Sequence, residues 1–362
     1  MAEKTEKRKA EHIRICLEQK AQARKATAGF EDIQLIHRAL PEVDRQKISL
    51  STFFLGKKFS APLIVGAMTG GTEEATQINA SIAEAVEKLH LGMGVGSQRA
   101  AIEDQKLEKT YAVARKKAPT AFLIANIGGV QLVHGYGLKE VKKVVEMIDA
   151  DAVAVHLNAL QEAVQPEGQT NFKGVLAKIG EIAGELDKPV IVKETGCGIS
   201  AEDAKALEAA GVKAIDVGGL GGTSFAAVEY YRSINQNNMG EIFWDWGIPT
   251  AVSLIETVQT VKIPVVASGG VRSGLDIAKS LALNASLASI SQPMLETAVK
   301  GTKETEELLS CLIDELRNVM FLVGAKNLES LAKVPVVISG KTAEWLNMRG
   351  FNIKKYAQRG AR

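Results

Sequence analysis

The stretch AVAVHLNALQEAVQPEGQTNF, residues 152–172, decides the interpretation of the fold, because a short apolar run ends abruptly in a dense group of polar side chains. The run has the length and composition of a strand that is buried on both faces of a parallel sheet. An imidazole, two amides and a carboxylate follow it, at His156, Asn158, Gln161 and Glu162. The stretch predicts a buried strand that ends at a polar, anionic or metal-bound ligand. The alternative is that the amides only satisfy the loop backbone.

Apolar runs of strand length recur along the chain, and amphipathic segments such as 72–89, 201–211 and 275–283 separate most of them. Strands that alternate with helices at this spacing require parallel pairing and right-handed crossovers. Eight such runs predict an α/β fold, a (β/α)8 TIM barrel. An open doubly wound sheet is the alternative, although it usually has fewer strands. The eight runs are 61–68, 89–97, 121–128, 152–158, 189–195, 214–219, 264–270 and 287–293.

The segments outside the eight runs predict two extensions. Residues 1–28 are typical of a basic helix that Gly29 ends, and an irregular collar follows it. A helix over 305–322 is expected to close the barrel, and Trp345 and Arg349 are interpreted as packing residues. We therefore expect an N-terminal extension, 1–60, that caps the barrel mouth, a barrel over 61–325, and a C-terminal extension, 326–362, that packs on the barrel.

Composition limits the classes of function. The chain has 362 residues, with 46% hydrophobic and 24% charged side chains, as in ordinary globular domains. Its 44 Lys and Arg residues against 42 Asp and Glu residues give no bulk charge signal for nucleic acid. Three cysteines without CxxC spacing argue against a zinc cage or a disulfide framework and favour a reducing compartment. We expect no membrane segment and a cytoplasmic location.

Catalytic groups of a barrel lie at the C-terminal ends of its strands, and this sequence places polar or glycine residues at all eight ends. The glycine runs within 218–223 and 268–272 let backbone N–H groups approach a phosphate closely. Lys193 ends a very apolar run, so its ammonium is expected to point inward. It could form a Schiff base, stabilise an anionic cofactor atom, or make a structural ion pair with Glu194 or a neighbouring strand.

Taken together, the motifs resemble the type 2 isopentenyl-diphosphate delta-isomerases over nearly the whole chain. The most specific evidence is the combination of RKAEHI, SQR and HLNALQE. By contrast, KETGCGIS and the SGG segment would each fit several FMN barrels. The motifs are RKAEHI (8–13), AMTGG (67–71), SQR (97–99), HLNALQE (156–162), QPEG (165–168), KETGCGIS (193–200), GLGGTSF (219–225), WGIPT (246–250) and SGGVRSGLDIAKSLAL (268–283).

The resemblance implies an FMN-binding barrel of isoprenoid biosynthesis that interconverts isopentenyl and dimethylallyl diphosphate by a 1,3-allylic proton shift. It implies reduced FMN as the acid and base, NAD(P)H as the reductant, and Mg²⁺ bound to the diphosphate. It also implies a homo-oligomer, a tetramer or octamer. The substrate is a small molecule, so neither a nucleic acid nor a membrane partner is expected.

The site residues follow from the same resemblance. Lys193, His156 and Gln161 are the expected catalytic residues, and Glu162 is the expected metal ligand. The expected substrate contacts are Arg8, Lys9, His12, Ser97, Gln98, Arg99, His156 and Gln161. The expected FMN contacts are Ala67, Met68, Thr69, Ser97, Asn126, Lys193, Thr223, Gly269, Gly270, Arg272, Ala288 and Ser289.

The chain departs from the family pattern around the eighth strand. Asn284 replaces a glycine of the usual Leu-Gly-Ala segment, and Ser289 stands near a second missing glycine. Asparagine tolerates the left-handed backbone better than most residues, but we expect weaker FMN binding. Two other functions stay open, an oxidising or reducing FMN barrel and a non-enzymatic sensor of a phosphate ligand.

Overall fold

The computed structural model describes residues 2–232 and 239–360, and its centre is a closed barrel of eight parallel strands. The eight strands, β4 to β11, lie within the eight apolar runs and pair in chain order, and β11 closes the ring on β4. The predicted (β/α)8 barrel is confirmed. The strands of the described residues are β1 (Ile33–Leu35), β2 (Thr52–Phe54), β3 (Lys57–Phe59), β4 (Leu63–Val65), β5 (Gly92–Gly94), β6 (Phe122–Gly128), β7 (Ala152–Leu157), β8 (Val190–Glu194), β9 (Ala214–Asp216), β10 (Val265–Ala267), β11 (Leu287–Ile290) and β12 (Val336–Ile338).

Amphipathic helices surround the barrel. The predicted segments 72–89, 201–211 and 275–283 correspond to the helices α2, α9 and α13. Thr72 caps α2 by accepting a hydrogen bond from the Ala75 N–H at 3.1 Å. The helices of the described residues are α1 (Ala2–Glu18), α2 (Glu73–Lys88), α3 (Arg99–Glu103), α4 (Lys109–Lys117), α5 (Gly129–Leu132), α6 (Leu138–Met147), α7 (Ala159–Val164), α8 (Val175–Glu185), α9 (Ala201–Ala209), α10 (Phe225–Arg232), α11 (Met239–Ile242), α12 (Thr250–Thr260), α13 (Gly274–Ala282), α14 (Gln292–Lys300), α15 (Thr302–Leu322), α16 (Leu328–Leu331), α17 (Gly340–Met348) and α18 (Lys354–Ala357).

The N-terminal helix is shorter than its sequence predicts. Helix α1 ends at Glu18, and residues 19–28, which we call the strap, run in an extended conformation across the loop after β9. The Ala23 N–H donates to Gly222 O at 3.1 Å, and the Ser224 N–H donates to Ala21 O at 2.9 Å. These pairings use the backbone groups that a longer helix would need, so tertiary contacts override the helical pattern.

The rest of the N-terminal extension does not lie at the barrel mouth. The β2–β3 hairpin covers the opposite end, where Phe54 and Phe59 pack edge-on or tilted against Phe122, the first residue of β6. These rings join the first inward side chains of the barrel strands in one buried cluster. The predicted extension 1–60 therefore does not lie at the mouth as one unit, since β1 pairs with β12 and the β2–β3 hairpin covers the opposite end.

The C-terminal helices contact the helices that surround the barrel. Helix α15 contacts α2, α13 and α14, which is the position of an eighth barrel helix, and β12 pairs with β1. Trp345 Nε1 and Arg349 Nε both donate to the buried Glu256 Oε1, at 3.0 and 3.2 Å, so these two residues join α17 to α12. Among the described residues, no helix is long and apolar enough to cross a membrane.

The aromatic cluster at the closed end generates a stability prediction. Phe59→Ala should lower the free energy of unfolding by about 3–5 kcal/mol, because it empties a fully buried site. Phe53→Ala is the matched control in the same hairpin, since the Phe53 side chain is 71% exposed. We expect it to change the free energy by less than about 0.5 kcal/mol in urea denaturation. Equal losses of unfolding free energy in the two variants would contradict the assignment of Phe59 to a buried cluster at this end of the barrel.

Candidate active site

A pocket of about 280 Å³ opens at the C-terminal ends of the barrel strands, beneath α1. Its volume is close to the lower end of the range for ligand pockets, roughly 300–1,000 Å³. The predicted site residues that lie on its wall are Arg8, Lys9, His12, Ala67, Met68, Thr69, Ser97, Arg99, Asn126, His156, Gln161, Glu162, Lys193, Thr223, Gly269, Gly270, Arg272 and Ser289. All eight strand ends and the N-terminal helix thus meet at one cavity.

Two predicted contacts, Gln98 and Ala288, do not line the pocket. The Gln98 side chain is fully buried; its Nε2 donates to Val144 O, and its Oε1 accepts from the Asn126 N–H, both at 2.8 Å. This amide joins the barrel to α6 and has no access to a ligand. Ala288 packs in the cluster between the barrel and its helices. Side chains of neighbouring strand residues face opposite sides, so the Ser289 side chain faces the pocket and the Ala288 side chain does not.

His156 is held in one orientation by Asn126. The Asn126 Nδ2 donates to Val95 O at 3.1 Å, which leaves its Oδ1 to pair with His156 Nδ1 at 2.9 Å. Because a carbonyl oxygen only accepts, Nδ1 carries the proton and Nε2 keeps its lone pair. Burial, with the nearby charges of Lys193 and Lys9, lowers the pKa of His156 to about 3. The pocket therefore holds a neutral imidazole at physiological pH.

Lys193 projects into the pocket, as the apolar run predicts. Its Nζ donates to the backbone oxygen of Glu194 at 2.9 Å, and it makes no ion pair with a carboxylate in the described chain. The Glu194 carboxylate accepts three backbone N–H groups of residues 195–197, at 2.5 to 2.6 Å. The proposed structural ion pair between Lys193 and Glu194 is therefore not formed.

Two buried carboxylic acids beside Lys193 were not among the expected site residues. Burial raises the pKa of Glu194 to about 7, although backbone N–H donors and Lys193 oppose the rise. Burial also raises the pKa of Asp216, which pairs in register with Lys193 and accepts a hydrogen bond from the Ser268 hydroxyl. An aspartate inside the apolar run 214–219 was the available signal, because a buried carboxylate in a strand requires partners.

Lys9 joins α1 to the barrel. Its ammonium donates to Gly70 O at 2.9 Å, Ser97 O at 2.6 Å and the Tyr111 hydroxyl at 2.8 Å. An ammonium has three N–H donors, so protein groups satisfy all of them. Burial and the neighbouring Arg8 charge lower the pKa of Lys9 to about 7. Lys9 lies on the wall as predicted, but here it anchors α1 instead of presenting a free cation to a ligand.

A second set of contacts ties α1 to α10 through the buried Glu229. His12 Nε2 lies 2.9 Å from Glu229 Oε1, and Gln161 Nε2 donates to the same oxygen at 3.3 Å. Arg232 also pairs with Glu229 and reaches Glu167, which contacts Arg8 at 3.7 Å. Although burial alone would raise it, the hydrogen bond from His12 and the charge of Arg232 lower the pKa of Glu229. Sequence reasoning missed Glu229, because nothing in the pattern of α10 marks it.

Glu162 lies in a pocket wall rich in amide groups. Its carboxylate accepts hydrogen bonds from Asn158 Nδ2 at 3.0 Å, Gln165 Nε2 at 2.6 Å and the Gln169 N–H at 2.7 Å. The other amide atoms, Asn158 Oδ1 and Gln165 Oε1, are buried and have no hydrogen-bond partner among the described residues. Two unpaired oxygens beside a carboxylate suit a cation or a ligand donor. The alternative that the amides serve only the backbone does not hold.

The glycine loops after β9 and β10 form the opposite wall. Gly269 and Gly270 have φ angles of +99° and +74°, and a Cβ at Gly269 would overlap the carbonyl oxygen of Gly219. Their backbone N–H groups donate to no acceptor within the described residues. Arg272 Nη1 braces the loops by donating to Gly221 O and Gly270 O, at 3.1 and 3.2 Å. Such a cradle fits a phosphate group.

Comparison with known proteins identifies the family. A family model described as FMN-dependent dehydrogenase matches residues 1–126 and 136–337. The isopentenyl-diphosphate delta-isomerase of Methanosarcina barkeri is 52% identical over 365 residues, which cover 99% of each chain. The protein of that name from Methanothermobacter thermautotrophicus is 50% identical over 352 residues, which cover 97% of this chain and 99% of the relative. The chain belongs to the type 2, FMN-dependent isopentenyl-diphosphate delta-isomerases.

The resemblance to this isomerase family is thereby confirmed, and it favours an isomerase over the redox and sensor alternatives. A mandelate oxidase variant superimposes with a TM-score of 0.62 over 90% of this chain and 95% of its own. Its sequence identity is 17%, so the likeness concerns the fold alone.

The two departures from the isomerase family pattern, Asn284 and Ser289, are accommodated by local contacts. Asn284 follows α13 with φ +77°, and its Oδ1 accepts a hydrogen bond from Arg359 Nη2 at 2.8 Å. It is not on the pocket wall. Ser289 does face the pocket, and Gly66 leaves room for the hydroxyls of Ser289 and Ser291.

The neutral imidazole of this isomerase site generates a pH prediction. In proton NMR, the His156 ring, assigned by its loss in His156→Asn, should keep the shifts of a neutral imidazole from pH 8 to pH 5. The folded-state pKa of about 3 lies below the ordinary histidine value of 6.5, so the unfolded state binds more protons between pH 6.5 and pH 3. His156 therefore contributes a loss of stability as the pH falls from 6.5 toward 3.

The urea-unfolded protein is the control for this titration, since all its histidines should titrate near pH 6.5. A His156 resonance that titrates near neutrality in the folded protein would contradict the lowered pKa and the neutral imidazole.

Proposed function

We propose that this isomerase interconverts isopentenyl diphosphate and dimethylallyl diphosphate by a 1,3-allylic proton shift. The observation that carries the proposal is the 52% identity, over 99% of both chains, with a protein named for that reaction. The pocket supports it, because cationic side chains from α1 and α3 face a wall of neutral and acidic groups. The proton shift protonates a terminal alkene carbon and removes a proton from the carbon two bonds away.

FMN is the proposed cofactor, with NAD(P)H as its reductant. When bound and reduced, FMN supplies the acid and base that ordinary side chains provide poorly for an unactivated alkene. The backbone N–H groups of Gly269 and Gly270, with Arg272, would hold its phosphate. Residues 67–69, Ser97, Asn126, Lys193, Thr223 and Ser289 would contact the remainder of the cofactor.

Mg²⁺ is proposed to bind at Glu162. Among the described residues, no group of three or more His, Cys, Asp or Glu side chains could hold a metal. The ion would therefore need oxygen ligands from the diphosphate and water in addition to Glu162. The unpaired oxygens of Asn158 and Gln165 support a cation there, since amide oxygens are hard ligands.

The remaining residues receive roles from their contacts. Arg8, Arg99, Ser97 and His12 would bind the diphosphate, which needs several cations and donors. Lys9 would act by fixing α1 over the pocket. Gln161 is held by Asn158 and Glu229, so its amide would present a fixed polar edge to the substrate.

Lys193 and His156 would act on the charge of the reacting centre. A lysine cation with no carboxylate partner stabilises an anionic cofactor better than an ion pair would, which favours this role over a structural one. His156 would contribute a neutral acceptor, Nε2, that neither gives up nor takes a proton near neutral pH.

The first experiment measures anaerobic conversion of isopentenyl diphosphate with FMN, Mg²⁺ and a flavin reductant. The wild type should form dimethylallyl diphosphate, and Glu162→Gln should lose most of this activity, because a neutral amide binds Mg²⁺ less well than a carboxylate. Raising the Mg²⁺ concentration should recover part of it. Glu181→Gln, an exposed substitution on α8, is the matched control and should keep full activity.

Absence of product from FMN-loaded, reduced wild-type protein would overturn the isomerase proposal. Net oxidation of a substrate would favour the redox alternative. Full activity of Glu162→Gln at limiting Mg²⁺ would remove Glu162 from the metal site.

A second prediction concerns Lys193. Lys193→Ala should fold and bind FMN but turn over at least roughly 100-fold more slowly when pre-reduced, because it loses a preorganised charge at the reacting centre. Lys205→Ala, an exposed lysine on the helix that follows β8, is the control. Unchanged turnover of the pre-reduced Lys193→Ala protein would remove Lys193 from the mechanism.

A further inference from the structure

The strap, residues 19–28, lies directly outside the loops assigned to the FMN phosphate. Its backbone pairs with residues 222–224, and farther along Ala28 O accepts from the Ala251 N–H at 2.8 Å. Gly221 has φ +120°, and a Cβ there would overlap the Ala28 backbone nitrogen. Part of the glycine content of this loop is therefore required by the strap, whether or not a phosphate is bound.

Gln22 is the strap residue that reaches the phosphate loops with its side chain. Its Oε1 accepts a hydrogen bond from Arg272 Nη2 at 2.6 Å, and its Nε2 donates to Gln292 Oε1 at 3.4 Å. Arg272 follows β10 and Gln292 begins α14, after β11. One amide thus spans the two barrel loops that flank the proposed phosphate position.

The strap holds Gln22 in place without help from the Gln22 side chain. Trp244 Nε1 donates to Gln22 O at 2.8 Å, and the Arg24 guanidinium lies 3.3 Å from the centre of the Trp244 ring. The Asp245 carboxylate accepts the backbone N–H groups of Arg24 and Lys25, at 2.8 and 3.2 Å. A substitution at Gln22 should therefore leave the path of the strap unchanged.

The hydrogen bond between Gln22 and Arg272 joins a neutral amide to a charged guanidinium. The Arg272 guanidinium donates only to uncharged oxygens, those of Gly221, Gly270 and Gln22, and it makes no ion pair among the described residues. Its Nε–H also has no acceptor there. A glutamine orients the guanidinium without neutralising it, so the positive charge stays available for a dianionic phosphate.

We propose that Gln22 is a positioning residue of the FMN phosphate site, and that the strap closes this site from outside by holding Arg272 toward the phosphate. The proposal rests on the FMN site of the proposed function. Gln22 tightens binding of a flavin that carries a phosphate and has no effect on one that lacks it. Release of FMN is slowed for the same reason, since Arg272 is kept from swinging away.

The test compares FMN with riboflavin, which lacks the phosphate, by flavin fluorescence on adding the apoprotein. Gln22→Glu should weaken FMN binding roughly tenfold or more, because a carboxylate pairs with Arg272 and repels the phosphate. Gln22→Ala, which removes the acceptor without adding charge, should have a smaller effect in the same direction. Both variants should bind riboflavin as the wild type does, and stopped-flow measurement should show faster FMN release.

Gln34→Glu is the matched control, because it makes the same chemical change at an exposed position of β1. Equal FMN affinity for Gln22→Glu and Gln34→Glu would overturn the proposal. A parallel loss of FMN and riboflavin binding in the Gln22 variants would also overturn it, since that result indicates a general loss of structure.

Arg272→Ala separates this inference from the function on which it rests. If the wild type shows no preference for FMN over riboflavin, or if Arg272→Ala leaves that preference intact, the phosphate assignment itself fails. If Arg272→Ala abolishes the preference while both Gln22 variants keep it, only the role of Gln22 is overturned.

Discussion

Closure of the parallel strand ring is the constraint on which the site depends. All eight strands of the closed ring are parallel, so all eight C-terminal ends meet at one mouth. Backbone register then places His156 beside Lys193, and Lys193 beside Asp216, although these residues come from three different strands. The convergence of an imidazole, a lysine and a carboxylic acid is thus a consequence of backbone hydrogen bonding, not of local sequence.

That convergence also sets the protonation states in the mouth. Little water reaches these groups, so the charged form of each costs free energy unless a partner is close. The pKa values of His156 and Lys9 are therefore lowered, and that of Glu194 is raised. The backbone offers fixed partners to some of them, such as the three N–H groups at Glu194. Lys193 has only a carbonyl oxygen, which leaves it the group best suited to meet a negative charge on a ligand.

The sequence predicts structural features that depend on neighbouring residues in the chain. It does not predict features that depend on contacts with residues far away in the chain. Apolar runs and glycine runs locate the barrel strands and the tight loops after β9 and β10, because burial on both faces and positive φ angles are local requirements. The strap could not be predicted from the helical pattern, since its conformation is set by residues 222–224. Gln98 and Lys9 lie in motifs that resemble the isomerase family. Their side-chain N–H groups, however, donate to backbone oxygens of other elements.

The N-terminal segment connects the two halves of the mouth that a flavin and a diphosphate would occupy. Lys9 fixes α1 to the loops after β4 and β5, and Gln22 contacts the loops after β10 and β11. One continuous segment, 9–22, therefore touches both regions.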